Sequence, residues 1–212
     1  MDSVKLMDRS DTKFAFHSFQ LPQVLERAKP YYRLLDIEGK KISRYETLYF
    51  DSPDFMMYLK HQNGKLNRHK VRFRKYMETG KCYFEIKFKS NKEKTTKKRI
   101  KQNDIESVIS GAAADFLKDI ADMDAAILFP NVTINYSRMT LVSKHRNERL
   151  TIDMNLTFRL PDSSGTGIEN NTVIAFDHFV IAEIKQENFS HSSDFYSVIR
   201  QEYIRQTEFS KY

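Results

Sequence analysis

The sequence predicts an α+β fold in which strands dominate, and three observations carry that expectation. Hydrophobic residues make up 40% and charged residues 30% of the 212-residue chain, with 16 Phe and 11 Tyr, a folded and strand-favouring composition. Apolar and charged residues alternate with period two between Lys65 and Lys101 and again from Arg149 to Leu160. Helical spacing is confined to short stretches between these runs. At this length the chain buries a real core, and one domain over residues 1–212 is expected.

Thr12 to Phe19 reads as a first strand, followed by a helix from Leu21 to Leu35 that Pro30 interrupts. Tyr45 to Phe50 reads as a second strand. Asp51-Ser52-Pro53-Asp54 offers capping side chains and an early Pro, and Asn63-Gly64 offers a stop, so a helix is expected from Asp54 to His61. Val71 and Phe73 alternate with Arg72 and Arg74, and Phe84, Ile86 and Phe88 alternate with Tyr83, Glu85, Lys87 and Lys89. These predict two strands joined near Glu78-Thr79-Gly80, with a third over Thr95 to Lys101. The Ala-rich stretch Asp104 to Met123 is apolar at helical spacing and predicts a helix packed on the sheet. Val132 to Ser143 and Arg149 to Leu160 predict a hairpin over Lys144 to Glu148. Pro161 to Thr172 reads as a polar loop, Val173 to Lys185 as strand, and Ser193 to Gln206 as a closing amphipathic helix.

Several function classes are set aside by composition. The single cysteine, Cys82, allows neither an internal disulfide framework nor a CxxC zinc site, and its parity makes it a buried apolar side chain. No segment approaches the roughly 18 apolar residues of a spanning helix, and Met1 to Asp11 has no apolar signal. A reducing, cytoplasmic location is expected. The six histidines show no ligand spacing, and no Ser/His/Asp or Cys/His constellation stands out.

Charge is regional. Lys60 to Lys101 holds 16 basic residues against Glu78, Glu85 and Glu93, a net of +13 within a chain of +7, so the remainder is −6. In a strand, residues i and i+2 project from one face, so Arg72 with Arg74, Lys87 with Lys89, and Glu183 with Lys185 form rows. A single such row is ordinarily a solvated surface. Recurrence on several neighbouring strands with few acids is different, because like charges side by side cost stability until an anion sits among them. A multiply charged anionic ligand is the expectation. Tyr76 and Tyr83 share the parity of the basic rows and are able to stack bases, but Phe73, Phe84 and Phe88 lie on the opposite parity and no RNP, KH or zinc-finger signature occurs. No nucleic-acid partner is expected.

Taken together, Thr12-Lys13-Phe14, Leu48-Tyr49-Phe50-Asp51-Ser52-Pro53, Val71-Arg72-Phe73-Arg74-Lys75-Tyr76, Glu85-Ile86-Lys87, Thr96-Lys97-Lys98-Arg99, Tyr136-Ser137-Arg138, Arg149-Leu150-Thr151-Ile152-Asp153, Glu183-Ile184-Lys185 and Phe209-Ser210-Lys211-Tyr212 resemble a known set of motifs. The chain resembles the catalytic domain of the vacuolar transporter chaperone (VTC) family, a polyphosphate polymerase branch of the triphosphate tunnel (CYTH-like) metalloenzymes. The resemblance implies a closed antiparallel β-barrel with flanking helices, ATP and polyphosphate as partners, and Mn²⁺ or Mg²⁺ as cofactor. By motif position it implies Arg72, Arg74, Lys87, Arg138 and Arg149 as catalytic cations. Lys13, Lys97, Tyr136, Lys185, Ser210 and Lys211 would bind phosphate, and Glu183 would be the metal ligand, with Glu85 and Asp153 as reserves. Lys98 and Arg99 compete with Lys97, because a one-residue slip swaps the face. Lys211, near the end of the chain, is expected to fray.

Such a set suits phosphoryl transfer, which needs alignment and charge neutralisation more than covalent help from the protein. Hydrolytic tunnel enzymes usually carry Glu-x-Glu-x-Lys near the start, whereas this chain reads Arg9-Ser10-Asp11-Thr12-Lys13, which favours a polymerase over an inorganic or nucleoside triphosphatase. A noncatalytic polyphosphate-binding module is the third reading. Translocation of product would fall to a membrane-protein partner, because the chain carries no spanning segment.

Overall fold

Alternating residues become strands and capped stretches become helices in the computed structural model, which describes residues 10–92, 95–160, 172–187 and 192–212. In chain order the elements are β1 (Ser10–His17), a 3-10 turn (Ser18–Gln20), α1 (Leu21–Ala28), β2 (Tyr32–Leu34), β3 (Ile42–Asp51), α2 (Met56–Gln62), β4 (Arg68–Tyr76), β5 (Cys82–Lys89) and β6 (Thr95–Gln102). There follow α3 (Gly111–Ala121), a second 3-10 turn (Ala125–Ile127), β7 (Phe129–Ser143), β8 (Glu148–Arg159), β9 (Val173–Phe176), β10 (Phe179–Gln186) and α4 (Asp194–Gln201). The fold is α+β, and the registered pairings are antiparallel.

Contacts divide the chain into two compact units. The first comprises Met1–Ser43, Tyr136–Leu156 and Ala175–Lys211; the second comprises Arg44–Asn135, Thr157–Ile174 and Tyr212. In the first, β1, β10, β8 and β7 are neighbours in that order, and β2 pairs with β7. Phe14, Ala182 and Ile152 stand opposite one another and face a core that α1 and α4 close with Val24, Ala28, Phe195, Val198 and Ile199. The other face carries Lys13 opposite Glu183 opposite Thr151, and Asp11 opposite Lys185 opposite Arg149. Polar groups in this core are tied together: the buried Glu148 accepts hydrogen bonds from Gln186 Nε2 and Ser193 Oγ, each at 2.9 Å, and from the Tyr32 hydroxyl.

In the second unit the order is β7, β3, β4, β5, β6. Leu48, Phe50, Val71, Phe73, Cys82, Phe84 and Ile86 are buried, with Phe73 and Phe84 rings 4.9 Å apart, and α3 adds Ala113 and Leu117. Burial pushes the Cys82 thiol up to about 11, so it is an inert core side chain.

Several sequence expectations are corrected. Strand pairing in each unit is a path with ends, β1 in the first and β6 in the second, so pairing among the described residues does not close either into the expected barrel. The helix expected from Leu21 to Leu35 stops at Ala28, because Pro30 cannot continue it, and Tyr32–Leu34 is strand. The helix expected from Asp104 begins only at Gly111. The Asp104 carboxylate instead takes Lys75 Nζ at 2.7 and 2.8 Å and the Ile105 amide at 2.7 Å, which holds the segment out of the helix. The final strand is broken by a turn at Asp177-His178, and α4 ends at Gln201, where Tyr203 at φ 56° reverses the chain. Asp51 and Ser52 do cap α2, through the Met57, Tyr58 and Met56 amides, but the helix starts at Met56 and not at Asp54. The polar loop at 161–171 lies outside the described residues, as do residues 1–9, 93–94 and 188–191, and with them Arg9, Glu93 and His191.

Candidate functional site

Two basic clusters emerge, one in each unit. In the second unit, β3, β4, β5 and β6 bring Tyr49, Arg72, Glu85 and Arg99 into one row, and Lys70, Lys87 and Lys97 into the next. Glu85 is 1% exposed, and its Oε2 accepts from Arg72 Nε at 2.9 Å and Nη2 at 2.6 Å, while Oε1 pairs with Lys97. Arg72 Nη1 also donates to the Tyr49 hydroxyl at 2.8 Å, and Arg74 Nε to Thr47 Oγ1 at 3.2 Å. Both guanidiniums are thereby fixed by neighbours on the same face. The register leaves three lysines, Lys70, Lys87 and Lys97, directly opposite one another, an arrangement that repels itself.

Electrostatics follow from this geometry. Burial alone would raise the Glu85 carboxyl, but Arg72, Lys97 and Arg74 outweigh it and hold it down at about 2. Burial among its neighbours, with Arg72 and Arg74, brings the Lys97 ammonium down to about 8 against the pull of Glu85. The Lys97 side chain is still 39% exposed, so water tempers that shift.

The first unit carries its cluster on β1, β7, β8 and β10. Arg138 on β7 grips the buried Asp153 of β8 through Nε at 2.5 Å and Nη2 at 2.8 Å, and Lys211 pairs with the same carboxylate. Arg138 and Lys211 also lie over the buried Tyr136 ring, at 5.3 and 5.0 Å from its centroid. Lys185 Nζ stands 2.7 Å from Glu183 Oε1 and 3.6 Å from Asp11 Oδ1. Lys13 Nζ donates to the Phe209 carbonyl at 2.6 Å, and Arg149 is an exposed side chain beside Lys185. Ser210 is half-buried next to Lys211. Burial would raise Asp153 and Glu183. Arg138 with Lys211 for the one, and Lys185 with Lys13 for the other, hold each at about 2.

Structure and expectation differ at several of these positions. Lys97 and Arg99 share the face of Arg72, whereas Lys98 points to the opposite face, which settles the register that sequence left open. The expected fraying of Lys211 is replaced by an ordered tail: the Thr207 amide bonds the Lys13 carbonyl at 2.9 Å, and Lys211 is tied to Asp153. In the second unit Tyr212 stacks on Tyr49 at 4.7 Å and its hydroxyl donates to Asp51. Glu85 and Asp153, the reserve metal ligands, are each occupied by two cations and act as organisers of the arginines.

Among the described residues no three His, Cys, Asp or Glu side chains cluster as a metal cage. The ionised Glu183, with Asp11 across the shared Lys185, is a sparse oxygen donor set. Oxygen donors of this kind are what a hard divalent ion prefers, and here both carboxylates already face the Lys185 ammonium. Among the described residues no helix is long and apolar enough to cross a membrane.

Comparison with known proteins bears on this arrangement. Comparison with the curated proteins gives no match. Among solved structures, the chain is similar to a candidate adenylate cyclase from Bacillus halodurans, 14% identical with a TM-score of 0.60, covering 97% of this chain and 96% of that one. A candidate adenylate cyclase from Vibrio parahaemolyticus is 10% identical at TM-score 0.55, with 96% of each chain covered. A candidate adenylyl cyclase from Hippeastrum, described as having a dominant triphosphatase activity, is 10% identical at TM-score 0.52, covering 95% of this chain and 93% of that one. At such identities the likeness is one of fold. The VTC domain model matches residues 8–212, which takes in both units and every basic row described above. The chain belongs to the VTC domain family.

Proposed function

We propose that this protein is a metal-dependent polyphosphate polymerase that transfers the γ-phosphate of ATP to a growing polyphosphate chain. The observation that carries the reading is the concentration of Lys70, Lys87 and Lys97 beside Arg72 and Arg74 on one face, positive charge that suits a ligand bringing several negative charges in a line. VTC family membership supports it.

In the transfer, a terminal oxygen of the polyphosphate attacks the γ-phosphorus, the bond from that phosphorus to the β–γ bridging oxygen breaks, and ADP leaves with the bridging oxygen. No side-chain nucleophile and no redox partner is needed. Arg72 and Arg74, held by Glu85, Tyr49 and Thr47, offer planar donors in fixed orientation, and Arg138 is held likewise by Asp153. Lys87, Lys97, Lys13, Arg149, Lys185 and Lys211 supply positive charge along the phosphates, and Tyr136 and Ser210 flank Lys211. Glu183 would hold Mn²⁺ or Mg²⁺, which, when bound, neutralises charge on the transferring phosphoryl group. The reading locates the enzyme in the cytoplasm, where ATP is available, with a membrane-protein partner for any translocation and no nucleic-acid partner.

A second reading, hydrolysis of triphosphate on the same fold, is favoured by the activity described for the Hippeastrum protein. The product separates the two. Incubation with ATP and Mn²⁺ followed by a polyphosphate-stained gel is expected to give a ladder that Arg72→Ala abolishes. Orthophosphate alone would establish the triphosphatase, and tight polyphosphate binding without turnover would leave a binding module.

A further inference from the structure

Tyr212 belongs to the second unit, with β3, β4 and α2, and is 8% exposed. Its ring stacks on that of Tyr49, with centroids 4.7 Å apart and planes 23° off parallel, and it meets the Tyr58 ring edge-on at 6.0 Å. Its hydroxyl donates to the buried Asp51 carboxylate, which the Ser52, Met57 and Tyr58 amides hold in place at 2.8 Å each. Burial and the Asp51 charge push that hydroxyl above the ordinary tyrosine range, so it stays protonated and remains a donor.

Tyr49 stands opposite Arg72 in the register of β3 with β4, and its hydroxyl takes Arg72 Nη1 at 2.8 Å. Glu85 holds Nε and Nη2 of the same guanidinium from β5. The plane of Arg72 is thereby gripped from both neighbouring strands. The two grips differ in kind: the Glu85 carboxylate is charged and binds two nitrogens, whereas the Tyr49 hydroxyl is neutral and is placed only as firmly as its ring. A flat neighbour at stacking distance restricts that ring. Tyr212 is such a neighbour, and Asp51 anchors it at its far end. Lys70 Nζ also lies 5.7 Å from the Tyr212 centroid, near the long limit of a cation–ring contact.

We propose that Tyr212 is a positioning residue for phosphate recognition: by stacking on Tyr49 it fixes the hydroxyl that orients the Arg72 guanidinium. The proposal rests on the phosphate-binding reading above and adds to it a residue that the ligand does not touch. With its ring buried and its hydroxyl turned to Asp51, Tyr212 acts through Tyr49. A guanidinium already held in one plane loses little freedom when an anion arrives, and that preorganisation is what the stack contributes. Tyr49→Phe keeps both rings and removes the hydrogen bond that reaches Arg72. Arg72→Lys keeps a charge beside Glu85 and loses the plane.

Calorimetric titration with tripolyphosphate, without divalent ions, tests this. The expected result is that Tyr212→Leu and Tyr49→Phe each weaken binding about fivefold, while Tyr212→Phe, which keeps the stack, stays within about twofold of wild type. Added to Arg72→Lys, Tyr212→Leu should cost less than about twofold more, whereas added to Lys87→Ala it should keep its full effect. Equal effects in every background would make Tyr212 a general packing residue and overturn the proposal. So would Tyr49→Phe binding within about twofold of wild type, or a Tyr212→Leu protein without a cooperative thermal melt, since a positioning role leaves the fold intact. Each of these leaves the phosphate site standing. Wild-type protein that does not bind tripolyphosphate would overturn the phosphate-site reading and the proposal with it.

Discussion

Glu85 holds Arg72 through two nitrogens of one guanidinium, at 2.9 and 2.6 Å, from a position only 1% exposed. A carboxylate so placed does not compete for a metal. It fixes the plane of the arginine and offsets part of the charge that would otherwise disrupt an empty site. Glu85→Gln is therefore expected to destabilise the free protein by about 3 kcal/mol, the usual cost of breaking a buried pair from one side. Added tripolyphosphate should restore more of the melting temperature in the variant than in wild type, because the anion takes over the neutralising role. Thermal melts with and without the ligand check this.

Lys97 gives the site a pH dependence. Its ammonium is brought down to about 8 in the free protein, so it is only partly charged at mildly alkaline pH. A bound phosphate chain favours the charged form and raises that value, so binding takes up protons near pH 8 and affinity falls as pH rises through it. Titration in two buffers of different ionisation enthalpy is expected to show the uptake, and Lys97→Arg to abolish it.

Asp153 joins Arg138 and Lys211 to one buried carboxylate. Asp153→Asn should cost about 3 kcal/mol in urea unfolding and lower turnover by at least tenfold through a loosened Arg138. Asp153, Glu85 and Glu183 all sit near 2 when folded, below the ordinary carboxylate range, so the unfolded chain takes up protons first. Their stabilisation is thus complete above about pH 4.5 and is lost as pH falls from there toward 2. Unfolding free energy measured against pH should show that slope, flattened in Glu85→Gln.

Glu183→Gln separates metal from phosphate. Polyphosphate affinity measured without divalent ions is expected to stay within about threefold of wild type, since only one of many charges changes. Activation by Mn²⁺ should fall by two orders of magnitude or more, read as turnover against metal concentration.

Much of this was legible because parity in a strand is rigid. The alternation of Val71 and Phe73 with Arg72 and Arg74 assigns the apolar pair to the core, and the same rule gives Cys82 to the core, as burial shows. What parity does not encode is what lies across from a residue. Neither the Lys70, Lys87, Lys97 row nor the Glu85 clamp on Arg72 follows from one strand read alone, because both depend on inter-strand register. The Asp104 segment was misread for a related reason. Its Ala-rich continuation has helical periodicity, but a long-range bond to Lys75 overrides local propensity. The closed barrel came with the family likeness, and strand pairing within each unit does not show it.

In a polyphosphate polymerase the γ-phosphate of ATP moves onto a phosphate chain. Incubation with ATP labelled either at the γ- or at the α-phosphorus, followed by digestion of the long product with an exopolyphosphatase, tests it most directly. The expected result is polyphosphatase-sensitive label from γ-labelled ATP only, lost in Arg72→Ala. Release of all γ-label as orthophosphate, with none in a chain, would contradict it.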